Sequence, residues 1–158
     1  MSINLENLLT IEKNLKFFPK TKLLIVTKNQ DLKDINVLVS KGYRLFGENR
    51  VQEAEKKYGQ INSNKNLELH LIGPLQRNKV KQALKIFDII QSVDRFSLID
   101  EISKRIGPSS DIRAKEFYIQ VNIGNEEQKF GVSKKDLKEL YDYSIEKKVI
   151  VSGLMCIP

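Results

Sequence analysis

The chain has 158 residues, 41% of them hydrophobic and 30% charged, with a formal net charge of +7; this is one domain long enough to bury a core, with the composition of neither a disordered nor a membrane protein. A single cysteine, Cys156, and a single histidine, His70, exclude an internal disulfide, a cysteine-rich metal site and a multi-histidine metal site. No apolar run approaches the ~20 residues that span a bilayer, and MSINLENLLT lacks a signal pattern, so a cytoplasmic location is expected.

From the N-terminus, Ile3, Leu5, Leu8, Leu9, Ile11, Leu15 and Phe17-Phe18 recur mostly at three- and four-residue steps. That spacing predicts an amphipathic helix over residues 2–18, stopped by Pro19. Leu23-Leu24-Ile25-Val26 is too short for a helix and too apolar for a surface, so Leu23–Thr27 is expected as a strand buried on both faces. Lys28 follows directly. An amine at the carboxyl end of a buried parallel strand sits where α/β folds place their chemistry, and partial desolvation there lowers a lysine pKa toward nucleophilicity. Lys28 is therefore a candidate Schiff-base lysine, although a lysine after a strand is more commonly a solvated terminus.

Leu32, Ile35, Val37, Leu38 and Val39 mark a helix ending at Gly42, a residue suited to the left-handed C′ position. Tyr43–Phe46 reads as the second strand, with Gly47-Glu48-Asn49 turning into a helix that runs to Tyr58-Gly59. Leu67–Ile72 is the third strand and runs into Gly73-Pro74; a helix follows from Leu75 to Ile86. Asp88–Val93 is the fourth strand, with Asp94 as N-cap of a helix over Arg95–Ile106. Gly107-Pro108 breaks the chain. Glu116–Ile123 is the longest strand, rich in β-branched and aromatic residues. After the polar loop Gly124–Gly131, Ser133 and Asp136 form an imperfect capping box for a helix to Lys148, and Val149–Met155 is the sixth strand.

Strands alternating with helices imply right-handed crossovers and a parallel sheet. Two architectures satisfy this: a doubly wound open sheet, or a parallel (β/α) TIM-type barrel, incomplete with about six of eight strands. No glycine-rich dinucleotide fingerprint or P-loop follows any strand. Polar residues do gather at strand ends, at Lys28, Gly47-Glu48-Asn49, His70, Ser92-Asp94 and Asn122, and convergence of many strand ends on one face is how a barrel builds a site.

The positive charge invites a nucleic-acid reading. Its distribution argues against one, because the lysines are spread over nearly every predicted helix among 20 acidic residues and no aromatic-basic motif is present. The densest cluster is Arg77, Lys79, Lys81 and Lys85, with Arg77, Lys81 and Lys85 on one helix face in the pattern of a solvated surface. A basic interaction or nucleic-acid-binding module on that face is the runner-up reading.

The stretches LLIVTK (23–28), LFGENRVQEAEKK (45–57), LHLIGPLQRNK (69–79), SVDR (92–95), VNIGNEEQKFGV (121–132) and GLMCIP (153–158) stand in the order and spacing of the pyridoxal phosphate homeostasis proteins. The chain resembles this family over nearly its whole length. The resemblance implies a barrel similar to the N-terminal domain of alanine racemase, with residues 1–158 as a single pyridoxal phosphate-binding domain. It implies that Lys28 forms a Schiff base with pyridoxal 5′-phosphate and that Asn49, His70 and Met155 lie around the cofactor pocket. A lone histidine or methionine on an apolar strand is otherwise a packed core residue, and Gly47 and Gly73-Pro74 are read as turn formers.

The family implies a carrier and regulator of vitamin B6 and of amino and keto acids, without turnover of its own, working with pyridoxal phosphate-dependent apo-enzymes and no membrane. A racemase-like enzyme is a further alternative; it needs proton donors and acceptors on both cofactor faces, one of which a second-domain tyrosine supplies in alanine racemase. Family members continue through two more strand–helix units carrying the phosphate-gripping loops and an arginine at the pyridine nitrogen. The sequence stops before them, so a C-terminally truncated barrel with exposed edge strands and weakened cofactor binding is expected.

Overall fold

A computed structural model describes residues 3–61, 66–107, 110–124, 126 and 128–158. Ser2 of the expected first helix and Pro108 of the expected break lie outside the described residues. Helix α1 (Leu5–Leu15) starts at Asn4, whose side chain accepts a hydrogen bond from Asn7 N at 3.0 Å. It buries no residue completely, and Phe17 and Phe18 lie beyond it in solvent.

Strand β1 is only Ile25–Val26, and Val26 is 45% exposed. The expected two-faced burial does not hold, because β1 pairs with one neighbour and lies at an end of the strand order. Helix α2 (Leu32–Ser40) buries Ile35, Leu38 and Val39, and Gly42 follows it at φ +96°, the left-handed conformation expected of it. Strand β2 (Leu45–Glu48) sits two residues later than expected. Gly47 is therefore a strand residue rather than a turn former: a Cβ there would stand 3.1 Å from Ile72 and 3.4 Å from Leu24.

Helix α3 (Val51–Tyr58), strand β3 (Glu68–Leu71), a 3₁₀ turn (Arg77–Lys79), α4 (Val80–Ile86) and strand β4 (Ile89–Val93) follow. Helix α5 (Phe96–Ser103) is not capped by Asp94; Arg95 occupies the cap, and Asp94 binds the Arg95 guanidinium at 2.5 Å instead. Strand β5 (Glu116–Asn122) is the longest. A strand absent from the sequence reading, β6 (Val132–Ser133), pairs with the end of β5 and raises the count from six to seven. Two residues are too few to leave a periodic signature. Ser133 Oγ accepts from Asp136 N at 3.3 Å, and helix α6 (Leu137–Glu146) and strand β7 (Val151–Met155) complete the order.

All pairings are parallel, in the order β1-β2-β3-β4-β5, with β5 pairing both β6 and β7. One apolar cluster joins Phe46, Leu69, Leu71, Ile90, Phe117 and Ile119 of the strands to residues of α2 through α6. Registers Phe46↔Leu69, Leu71↔Ile90 and Ile90↔Phe117 put these strand residues on one face. Sequential strand order with these helices on a single face is the winding of a (β/α) barrel; a doubly wound sheet reverses its order and covers both faces. The opposite, inner face carries Gly47, His70, Gln91, Tyr118 and Gly153.

Candidate functional site

On the inner face, Val26, Gly47 and His70 stand in register across β1, β2 and β3. Two residues beyond the Val26–Gly47 pair come Lys28 and Asn49, at adjacent strand ends; Lys28 is exposed and Asn49 half-buried. The fold thus brings Lys28 and Asn49 to one mouth with His70 a layer beneath. Gly73 secures the geometry by close approach, since a Cβ on it would lie 2.6 Å from the Asn49 Cα.

The residues on either side of Lys28 are both tied to α3. Buried Thr27 donates its hydroxyl hydrogen to Glu48 Oε1 at 2.7 Å, and its Oγ1 also lies in a hydrogen bond of 2.7 Å with the Tyr58 hydroxyl. Lys57 Nζ donates to the Thr27 carbonyl at 2.6 Å, to Glu48 Oε1 at 2.9 Å and to Glu53 Oε1 at 2.6 Å. Glu53 in turn accepts from the backbone N–H of Asn29 at 2.6 Å, and Asn29 adopts φ +58°. Lys28 is therefore the free residue between two pinned ones.

Burial pushes the Glu53 carboxyl up, but hydrogen bonds from Lys57 and Asn29 N and the charges of Lys57 and Arg50 outweigh it and hold the group below its ordinary range. Burial also raises the Tyr58 phenol; the Thr27 hydrogen bond opposes this and the Glu48 charge adds to it, so the hydroxyl stays protonated. Glu48, expected to converge with the strand-end polar groups, points instead with Phe46 toward the helices and is fully buried. Strand alternation decides this once β2 is shifted to end at Glu48.

His70 is buried mid-strand with both ring nitrogens engaged: Gln91 Nε2 donates to Nδ1 at 2.7 Å, so Nε2 carries the proton and donates to Glu68 Oε1 at 2.9 Å. Tyr118, also on the inner face, has its phenol pushed up by burial and by the charges of Glu116 and Glu68. Met155 ends β7 half-buried, in register with Gln120 and at the other end of the strand order from Lys28. Gln120 Oε1 is buried without a hydrogen-bond partner, as is Ser92 Oγ at the bulge in β4. The structure thus brings Lys28 and Asn49 together at adjacent strand ends, whereas Gln120 and Met155 lie on β5 and β7, away from that pair.

No family model matches the chain. The pyridoxal phosphate homeostasis protein of Aquifex aeolicus is 43% identical over 138 residues, covering 87% of this chain and 59% of that protein. Its counterpart from Buchnera aphidicola (Schizaphis graminum) is 31% identical over 166 residues, covering 96% of this chain and 69% of the relative. PipY of Synechococcus elongatus, solved without PLP, superposes with a TM-score of 0.82 at 34% identity over 97% of this chain and 70% of PipY. The chain belongs to the pyridoxal phosphate homeostasis protein family. The form of PipY with PLP bound gives a TM-score of 0.75 at 32% identity over 93% of this chain. Alanine racemase from Corynebacterium glutamicum, at 15% identity and a TM-score of 0.59 over 86% of this chain, shares the fold. The chain is thus an α/β protein of the TIM-barrel type, and it spans 59% of the length of the first of these relatives.

In this family member other strand-end groups serve structure. Asp94 holds Arg95, and Asn122 Nδ2 donates to Glu126 O at 2.8 Å, shaping its own loop. On the basic face, Arg77 lies 3.4 Å from Glu101 and Lys85 3.3 Å from Asp111, so two of its three cations face carboxylates. Among the described residues no group of three or more His, Cys, Asp or Glu could hold a metal ion, and no helix is long and apolar enough to cross a membrane. The clamp of Glu48, Glu53, Lys57 and Tyr58 escaped the sequence reading. Its one legible trace was Glu53 and Lys57 four residues apart, the spacing of a helical ion pair.

Proposed function

We propose that this chain carries pyridoxal 5′-phosphate on Lys28 and serves the homeostasis of that cofactor, and through it of amino and keto acids, from one barrel domain spanning residues 1–158. The observation that supports this most directly is Lys28 held between pinned residues at a strand end, beside Asn49 on the neighbouring strand. Relatives bearing the homeostasis name, and PipY with PLP bound, support the same reading. Bound, the cofactor supplies an aldehyde that condenses reversibly with a primary amine. Lys28 provides that amine. Asn49, at the adjacent strand end, would orient a polar group beside it, and Met155, across the sheet on β7, would offer an apolar side chain toward the same mouth.

A carrier role without turnover fits the inner face. Racemisation needs groups that both give and take a proton at the reacting carbon. His70 has both nitrogens committed, and the Tyr118 phenol is held protonated by burial and neighbouring carboxylates. Transfer to pyridoxal phosphate-dependent apo-enzymes is the partner chemistry this implies.

Titrating the chain with pyridoxal phosphate and following imine absorbance tests the reading. Binding that Lys28→Ala abolishes is expected; equal absorbance in the variant refutes it. A D/L amino-acid exchange assay on the loaded protein is expected to show none, and sustained exchange dependent on Lys28 would establish the racemase-like alternative.

A further inference from the structure

A cavity of about 550 Å³ opens over the ends of β2, β3 and β4; Asn49, at the Lys28 mouth, is among its lining residues and Lys28 is not. Three cations, Arg50, Lys79 and Arg95, line it together with Gln52, Gln76 and Phe130, and among the described residues no carboxylate belongs to the lining. Arg95 is fixed in place: it donates to Leu75 O at 2.7 Å and to nearly buried Asp94 at 2.5 Å. Among the described residues, Arg50 and Lys79 have no carboxylate within ion-pair distance; Glu53, whose carboxyl feels the Arg50 charge, is bound to Lys57 instead. Like charges collected around a concave surface repel one another and are compensated by an anion that enters it. Phe130, 56% exposed at the rim, adds an aromatic face, which a bare inorganic anion would not use.

We propose that this cleft binds a nucleoside phosphate. Its phosphates meet Arg50, Lys79 and Arg95, where guanidinium groups give forked, charge-assisted hydrogen bonds and lysine a point charge. Its base stacks on Phe130, with the amides of Gln52 and Gln76 available to base or ribose. The volume matches one small ligand rather than a polymer groove. The cleft adjoins the Lys28 site and shares Asn49 with it, but the phosphate contacts proposed here do not require Lys28.

Calorimetric titration of the purified chain, free of pyridoxal phosphate and at low salt, with ADP, pyrophosphate and a single-stranded oligonucleotide tests the proposal. ADP binding is expected to weaken about tenfold or more in Arg50→Ala and in Lys79→Ala, the scale of one lost charge-assisted contact, and to fall with rising salt. Phe130→Ala should weaken ADP and leave pyrophosphate unchanged. Lys28→Ala, and Lys138→Ala on exposed α6, should bind ADP as the parent does. Absence of ADP binding at millimolar concentration, or equal loss in Lys138→Ala, overturns the proposal. Loss on Lys28→Ala also overturns it, by assigning the cleft to the cofactor site, and tighter binding of the oligonucleotide through the same cations overturns it in favour of a nucleic-acid surface.

Discussion

Lys57 is the residue on which the geometry around Lys28 turns. Its ammonium is the counter-charge for Glu48, which is fully buried and whose Oε2 has no hydrogen-bond partner. Lys57→Met leaves that carboxylate buried and uncompensated, and a loss of about 3 kcal/mol or more in urea unfolding free energy is expected. Adding Glu48→Gln to Lys57→Met should recover part of it, because a neutral amide removes the buried charge. Gly73→Ala acts at the mouth instead: its methyl meets the Asn49 backbone, so a cost of about 1–3 kcal/mol and weaker Lys28-dependent imine absorbance are expected. Unchanged absorbance would separate Asn49 from the cofactor. Lys28 was legible at this scale because a short apolar run followed by a lysine is a local pattern. The partners of Glu48 were not, since Thr27 and Lys57 reach it from different elements.

Among the helices, α1 is the least firmly held. It buries no residue, and a hydrogen bond of 2.6 Å from the Tyr43 hydroxyl to Glu12 Oε1 joins it to the start of the second βα unit. That hydrogen bond, then burial, then the Glu12 charge push the Tyr43 phenol from its ordinary value of 10.0 up to about 12. A folded-state value raised above the unfolded one means the tether stabilises fully below pH 10 and fades as pH rises toward 12. The thermal midpoint, read by circular dichroism, is expected to fall across that interval, and the fall should be smaller in Tyr43→Phe. Periodicity in the sequence marked α1 but overstated its burial, because an amphipathic stripe shows which side is apolar and not whether another element covers it. Strand β2 was displaced by the same limit: Gly47-Glu48 read as a turn locally, whereas pairing to Val26, His70 and Leu71 extends the strand through them.

For the molecule as a whole, the apolar layer between the sheet and the helices matters most. Ile119 of β5, the strand that pairs with β4, β6 and β7, is fully buried in it. Ile119→Ala leaves a cavity there, and a loss of about 2–5 kcal/mol in urea unfolding free energy is expected. An unchanged unfolding midpoint would place Ile119 outside the cooperative core.

By itself the sequence determined the alternation of strands and helices, the family motifs and the place of Lys28 at a strand end, because each depends on neighbours within a few residues. Only the tertiary structure decided that the helices share one face of the sheet, that Glu48 turns toward them, and that Arg50, Lys79 and Arg95 surround one cleft. Those outcomes depend on register between strands far apart in the chain, where a shift of two residues in β2 decides which groups stand at the mouth.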